Sequence, residues 1–483
     1  MEAMTMILAL ALALQDPAYE TSTLEGGTRA DTIHSQDLDG DGRPELLVQN
    51  GREIQVFAFE SGRYGPKPRQ VVRLDPSAFL WTMGTLDGSK RPALLAAGSR
   101  AIQAYRFDGK AFGPAADLVV HPSVFEGTGA EGGAPARVEF AADLDGDGLS
   151  DLLLFHPAGV LVLKQHPGSE FRALQRLSIP VEAATLIPWQ PHLNVSTKTV
   201  IPLLSTGDMD GDGLADVVYY LDETIGVFRR QADGRFLGES THALAAEKQK
   251  KRQRFFQFDV PPRMQDFNAD GLLDLALVYP SKGRLQLYYG QSARKDFSLP
   301  DDLIRVADGW SSGVYFEDLD SDGKLDLIMG VIRKIGITEG IQVFLSGRLD
   351  IELHIYPMQA SGRFTKDPVQ ELRFSIPYSF SVTRDSASID LVFRPNLKGD
   401  FNKDGLRDML VATGDKVMKI YPGVRGRGFA DQPSGSIAMD PPDQTSTTEP
   451  FVWDLNGDGI SDLVLRHTIV NPPRHALEVK LSR

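Results

Sequence analysis

The residues of this chain best placed to act together are carboxylates at a fixed spacing. In Asp208-Met209-Asp210-Gly211-Asp212-Gly213-Leu214-Ala215-Asp216, oxygen donors fall at positions 1, 3, 5 and 9. The pattern Asp-x-Asp/Asn-x-Asp-Gly-x-x-Asp/Glu occurs in seven intact copies. With a backbone carbonyl expected at position 7, the first two candidate ligand sets are Asp37, Asp39, Asp41, Arg43, Glu45 and Asp143, Asp145, Asp147, Leu149, Asp151. The next are Asp208, Asp210, Asp212, Leu214, Asp216 and Asp266, Asn268, Asp270, Leu272, Asp274. The last three are Asp318, Asp320, Asp322, Lys324, Asp326; Asp400, Asn402, Asp404, Leu406, Asp408; and Asp454, Asn456, Asp458, Ile460, Asp462. All-oxygen donors suit a hard divalent cation, and calcium accepts about six to eight oxygens at relaxed geometry where magnesium demands a tight octahedron. Position 6 is glycine in every intact copy, as a loop wrapping an ion requires where φ turns positive. One copy alone reads equally well as an Asx-rich turn; seven point to about seven Ca²⁺ sites.

The loops are not EF-hands. That motif needs a bidentate Glu at position 12 and flanking helices, whereas position 12 here holds Val48, Leu154, Tyr219, Leu277, Met329, Val411 and Leu465. Short apolar runs such as Asp151–Phe155, Asp216–Tyr220 and Asp274–Tyr279 follow the loops and read as buried strands.

These strands belong to a longer repeat. A degraded eighth copy, Thr85 to Ala93, aligns with Asp37 to Glu45 through a shared Arg-Pro and a following Leu-Leu. Each unit reads as a short strand, the acidic loop, an apolar strand, a turn, a second strand and a polar turn closed by an aromatic. In the unit at Asp143 these are Leu152–Phe155, Val160–Lys164 and a turn ending at Phe171. The aromatic recurs as Tyr64, Phe112, Phe236, Phe297, Phe364 and Phe429. The expectation is an all-β chain, a single β-propeller of eight four-stranded blades over residues 15–483, with seven as the alternative. After Asp454 only two more strands remain, Leu463–Arg466 and Ala476–Leu481, so Ala18–Leu24 is expected to close the ring by pairing N- and C-terminal strands.

Three segments exceed the minimal unit: residues 186–200 with Trp189, the basic run 246–254, and extra length after Asp318 that includes Ile351–Tyr356, read as an added alternating strand. Residues 1–14 end in the apolar run Ile7–Leu14, too short to span a bilayer but fitting a signal peptide, although no Lys or Arg precedes it. No transmembrane segment is expected, and a secreted, periplasmic or cell-surface location follows from that leader and from calcium's abundance outside the cytosol.

The chain has 483 residues, no cysteine and a formal net charge of −14. The intact loops hold four carboxylates in four cases and three in the other three, 25 in all, and seven Ca²⁺ would cancel the net charge. The acidity is therefore ligand charge rather than a signal about partners. One short basic run in an acidic chain lacks the distributed positive face that nucleic acid needs. That run otherwise reads as a solvated loop.

The loops followed by an apolar strand resemble the FG-GAP repeat of integrin α-subunit propellers, and more closely its bacterial secreted version, the VCBS repeat. The resemblance extends over residues 20 to 483. It implies calcium held between the first two strands of each blade, with no tight site in the second unit, where Thr85, Ser89 and Ala93 replace ligands. It says little about activity, because this fold hosts many functions.

The leading functional expectation is a calcium-stabilised extracellular module for binding or adhesion, taking a carbohydrate or protein ligand. Trp189 is its candidate surface contact, while Trp453, next to Asp454, reads as core. The alternative is a polysaccharide lyase or hydrolase acting in the propeller channel, where His34 would sit on an inner strand. A purely architectural role fits the repeats as well. No nucleophile elbow (a Gly-x-Ser-x-Gly on a strand-to-helix turn), His-Glu-x-x-His or P-loop is found, no catalytic residue can be named, and the repeat specifies no oligomeric state.

Overall fold

The apolar run after each acidic loop is buried on both faces, which is why it reads as continuous rather than alternating. In Glu45–Asn50, for example, Leu46, Leu47 and Val48 are all within 1% of full burial. Such a strand must be covered by sheets on either side, and the computed structural model shows how. It describes residues 18–25, 29–88, 91–121, 123–125, 133–186, 196–221, 224–243, 262–291, 297, 299–306, 309–334, 336–382, 387–391, 395–412 and 416–483.

Eight sheets, each built on four antiparallel strands, stand in a ring as an eight-bladed β-propeller. Blade 1 is Thr32–Gln36, Glu45–Asn50, Glu53–Phe57 and Gln70–Arg73, in that order across the sheet. The first strands of neighbouring blades touch, as where Asn396 Nδ2 donates to the Pro450 carbonyl at 3.2 Å, so first strands line the axis. Apolar clusters fill the gaps between successive sheets: Leu47, Ile54 and Val56 of blade 1 meet Trp81, Leu94 and Tyr105 of blade 2.

The degraded unit is a full blade, built on Ala78–Thr85, Pro92–Gly98, Ala101–Arg106 and Ala116–Val120. Its strands are as apolar and buried as those of the other blades although its loop lacks three of the oxygen donors, and this complete sheet decides for eight blades over seven. Closure is also as expected. Tyr19–Leu24 is the outer strand of blade 8, pairing Tyr19 with Ser482 through Leu24 with Leu477. Joining both chain ends in one sheet leaves no blade open to fraying.

The closing aromatics Tyr64, Phe112, Phe236, Phe297, Phe364 and Phe429 are buried, while Phe171 is half-buried. Several are held by a clasp that crosses to the preceding blade. Gln70 accepts from the Phe112 N–H (2.7 Å) and donates to its carbonyl (2.6 Å), and Gln175 with Phe236 and Gln370 with Phe429 repeat the arrangement.

One expectation fails. Ile351–Tyr356 is not an added strand but part of Arg348–Tyr356, the third strand of blade 6. Only its start alternates, because the rest lies between two neighbouring sheets. The additional residues instead form the helix Ile337–Ser346 between strands 2 and 3, and a hairpin of the long strand Gln370–Val382 with Ala387–Leu391.

Strand alternation then assigns the rims. The acidic loops join strands 1 and 2, so they share one rim. Connections from strand 2 to 3, and from strand 4 to the next blade, leave from the other. The helix, the blade 6 hairpin and the hairpin Glu182–Leu186 with Ser196–Val200 are all connections of these latter kinds. The insertions therefore stand on the rim opposite the acidic loops. Residues 1–14, Trp189 and the basic run 246–254 lie outside the described residues.

Candidate metal centres on one rim

Each acidic loop is shaped by its own carboxylates. In blade 4, Asp208 accepts the N–H groups of Gly211 and Gly213, both at 2.7 Å, and Asp212 accepts that of Leu214 at 2.9 Å. The position 1 bond to the position 6 N–H recurs in all seven loops at 2.7–3.0 Å. So does the position 5 bond to the position 7 N–H, donated by Arg43, Leu149, Leu214, Leu272, Lys324, Leu406 and Ile460. Position 6 glycine has φ between 80° and 86° throughout. Position 4 is also left-handed. It is glycine in four loops but Ala269, Ser321 and Lys403 in the others, at φ of 58–60°, a conformation that costs an L-residue about 1 kcal/mol or more.

The structure brings positions 1, 3 and 5 together. In the all-aspartate loops (Asp37, Asp39, Asp41; Asp143, Asp145, Asp147; Asp208, Asp210, Asp212; Asp318, Asp320, Asp322) one oxygen from each residue lies within 4.8 Å of the others. In the remaining loops the position 3 amide nitrogens of Asn268, Asn402 and Asn456 donate to the position 5 carboxylates of Asp270, Asp404 and Asp458 at 2.9–3.0 Å. Asp266, Asp400 and Asp454 occupy position 1 as in the other loops.

Position 9 stands apart. Its carboxylate is buried and anchors the loop to the blade: Asp274 accepts from Phe267 N–H (2.9 Å) and Gly290 N–H (2.7 Å), and Asp408 from Phe401 and Gly423, both at 2.8 Å. Asp216, Asp326 and Asp462 are held the same way. Burial pushes Asp274 up to about 7 and Asp216, Asp326 and Asp408 to about 6, the backbone bonds offsetting part of the rise. Glu45, Asp151 and Asp462 are raised for the same reason.

The donor set fits a hard divalent cation, and one observation bears on this directly. Asp145 Oδ1 and Asp210 Oδ1, each within a carboxylate cluster, are shielded from solvent and accept no hydrogen bond. A buried carboxylate oxygen without a donor is costly unless a cation faces it.

The loops are also chained to one another. The position 8 N–H donates to the position 1 or 2 carbonyl of the preceding loop: Leu273 to Asp208 (2.7 Å), Leu325 to Phe267 (2.8 Å), Arg407 to Leu319 and Ser461 to Asp400 (both 2.9 Å). Ser150 makes the same 2.9 Å bond to Thr85, so the degraded loop keeps its place in the chain.

Sequence reasoning missed two cations here. Lys164 and Arg229 reach from the third strands of blades 3 and 4 to pair with Asp145 and Asp210. Each follows its position 3 partner by 19 residues, a spacing visible in the sequence. It also missed Glu352, His354 and Glu371, which converge in blade 6 from two strands; Arg333 Nε donates to both Glu352 oxygens at 2.8 Å, supplying a cation from the protein itself. His34 does lie on the first strand of blade 1, half-buried, and burial followed by the nearby Arg137 charge lowers its pKa. Trp81 is fully buried and bonds Gln49 at 3.1 Å, and Trp453 stacks on Phe451 against the core between blades 8 and 1.

Residues 266–329 match the family described as an FG-GAP-like repeat. No curated protein matches the sequence. Among solved structures, an Agrocybe aegerita lectin recognising non-reducing terminal N-acetylglucosamine aligns over 86% of this chain and 93% of its own at 15% identity and TM-score 0.42. BBS1N in complex with ARL6DN aligns over 98% and 97% at 10% identity and TM-score 0.39. The WD40 domain of Toxoplasma gondii coronin aligns over 97% and 88% at 11% identity and TM-score 0.36.

Proposed function

We propose that this chain, an FG-GAP-repeat β-propeller, is a calcium-stabilised extracellular binding module whose ligand, a carbohydrate or protein, is taken on the insertion-bearing rim. The observation that carries the reading is the division of labour between rims: acidic loops on one, added helix and hairpins on the other. Calcium in the loops is structural. Positions 1, 3 and 5 would hold it, and its binding energy becomes folding energy. A propeller needs no such additions to close, so surplus segments gathered on one rim fit recognition. Phe344 and Leu345 on the inserted helix are 76% and 77% exposed, offering apolar surface there. Among the described residues, no helix is long and apolar enough to cross a membrane. Export, to the periplasm, cell surface or medium, is supported by the Ile7–Leu14 run and by the calcium such compartments hold.

The test is incubation of the full chain with a panel of polysaccharides and extracellular-matrix proteins in calcium, reading both retention and new chain ends. Retention that weakens when Phe344 and Leu345 are replaced by serine is the expected result. New reducing or unsaturated ends would instead identify a lyase or hydrolase and direct attention to the channel around His34.

A further inference from the structure

Position 8 sorts the loops by whether they can bond a neighbour. Its N–H reaches the preceding loop in five steps of the ring, from blade 3 to 2, 5 to 4, 6 to 5, 7 to 6 and 8 to 7. Two of these steps are doubled by serine: Ser150 Oγ accepts from the Thr85 N–H at 2.9 Å, and Ser461 Oγ from the Asp400 N–H at 2.8 Å. The step from blade 4 to 3 is made by Arg230. Its guanidinium donates to the Leu144 carbonyl, while its N–H donates to Asp216 of its own blade at 2.8 Å. In blades 1 and 2, position 8 is Pro44 and Pro92, which have no N–H to give. Among the described residues, no hydrogen bond joins the loop 37–45 to the loop of blade 2 or of blade 8.

Position 4 adds links of its own. Ser321 and Lys403 hold the left-handed backbone where glycine stands in blades 1, 3, 4 and 8. Their side chains cross to the next loop: Ser321 Oγ donates to the Gly405 carbonyl at 2.6 Å, and Lys403 Nζ to the Asp458 carbonyl at 2.5 Å. A glycine there avoids the strain but cannot reach across.

We infer that the acidic rim is a broken ring: the loops of blades 2 to 8 form one linked arc that orders and opens collectively, and the blade 1 loop, set off by Pro44 and Pro92, moves alone. A bond between two loops exists only while both are ordered, so opening one removes an interaction from the next. The net effect of one backbone hydrogen bond is about two- to tenfold in such an equilibrium. These bonds also sit where they matter for loop shape. Each main-chain donor directly precedes the position 9 residue, and each acceptor is at position 1 or beside it. Whatever orders one loop of the arc therefore lowers the entropic cost of ordering its neighbours. Coupling should fall off along the arc as it does between neighbouring units of a repeat protein.

The experiment is hydrogen exchange by mass spectrometry on the full, metal-stripped chain, comparing Arg407→Pro with Arg407→Ala. Arg407 is exposed and supplies the position 8 N–H from blade 7 to blade 6. Alanine keeps that N–H, and two loops already carry proline at the same position. The loops of blades 6 and 7 should exchange about fivefold faster in the proline variant than in the alanine one, with a smaller increase in blades 5 and 8 and none in blade 1. If the proline variant does not fold, Ser321→Gly takes its place. It relieves the strain in the blade 6 loop, yet the blade 7 loop should exchange faster for losing its partner. An effect confined to the substituted loop, or a blade 1 loop that follows the others, overturns the inference. A calcium titration of the unmodified chain, which rests on the calcium reading above, should protect the loops of blades 3 to 8 over one concentration range and that of blade 1 over another. Separate ranges within the arc overturn the inference as well. Protection of no loop overturns the calcium reading, and the metal-free comparison still decides this one.

Discussion

Removing divalent cations should invert the pH dependence of stability, and Asp274 shows why. Its carboxyl is 1% exposed, and burial raises its pKa from 3.8 to about 7 when no cation faces it. A folded-state pKa above the unfolded value means that the ion-free fold prefers the protonated acid. The resulting stability is complete below about pH 4 and is lost as pH rises through about 7. At about 1.4 kcal/mol per pH unit between the two pKa values, Asp274 alone accounts for roughly 4 kcal/mol. Asp216, Asp326 and Asp408, raised to about 6, add roughly 3 kcal/mol each. About half of that total is lost between pH 5 and pH 8, and loop relaxation and water entry reduce this part to a third, roughly 2 kcal/mol, or roughly 2 °C in a chain of this length. With calcium the sign reverses, since ligands must be ionised to bind and affinity grows with pH. Thermal melts of metal-stripped protein should therefore fall by roughly 2 °C from pH 5 to pH 8, while melts in millimolar calcium hold steady or rise. The acid end is set at pH 5 because Glu352 and Glu478, held low by Arg333 and by His467 and Lys480 against the effect of burial, stay ionised there. Identical pH profiles with and without calcium would refute the reasoning, as would stripped protein that melts higher at pH 8.

Other perturbations separate loop from blade. Asp212→Ala should remove one bound calcium by dialysis yet leave the far-ultraviolet spectrum unchanged, because blade contacts are local. Gly213→Ala, at φ +80° with nothing near the added methyl, should cost about 1 kcal/mol in urea unfolding. Gly226→Ala places its methyl 2.0 Å from the buried Tyr219 ring and should cost roughly 3 kcal/mol by the same measurement. Trp81→Phe leaves Gln49 without its indole donor and should cost about 2 kcal/mol. Deleting residues 1–24 bares the edge of Arg474–Ser482 with its buried Leu477, Val479 and Leu481, so light scattering should report association at concentrations where the full chain is monodisperse.

Much of this architecture was legible because the repeat encodes it locally. Glycine at position 6 announces a positive φ, carboxylates at positions 1 and 5 announce the N–H groups they will accept, and apolar runs such as Leu152–Phe155 announce strands covered on both faces. Ring closure was readable by arithmetic, as the last unit lacked a strand that Tyr19–Leu24 could supply. The misreading of Ile351–Tyr356 came from counting it as surplus; alternation at its start hid the fact that both faces end between sheets.

What the sequence by itself determined is the set of properties that depend on neighbours a few residues apart: the loops, the strands that flank them and their order, while the choice of eight blades over seven came from the sheets. Tertiary structure alone decided which charges meet. Lys164 reaches Asp145, Arg230 crosses from blade 4 to the blade 3 loop, and Gln70 clasps Phe112 from one blade to the next. It also set the insertions on the rim away from the acidic loops. Electrostatic and hydrogen-bond energies depend on distance in space, and in a ring of sheets that distance follows from register and closure rather than from separation along the chain.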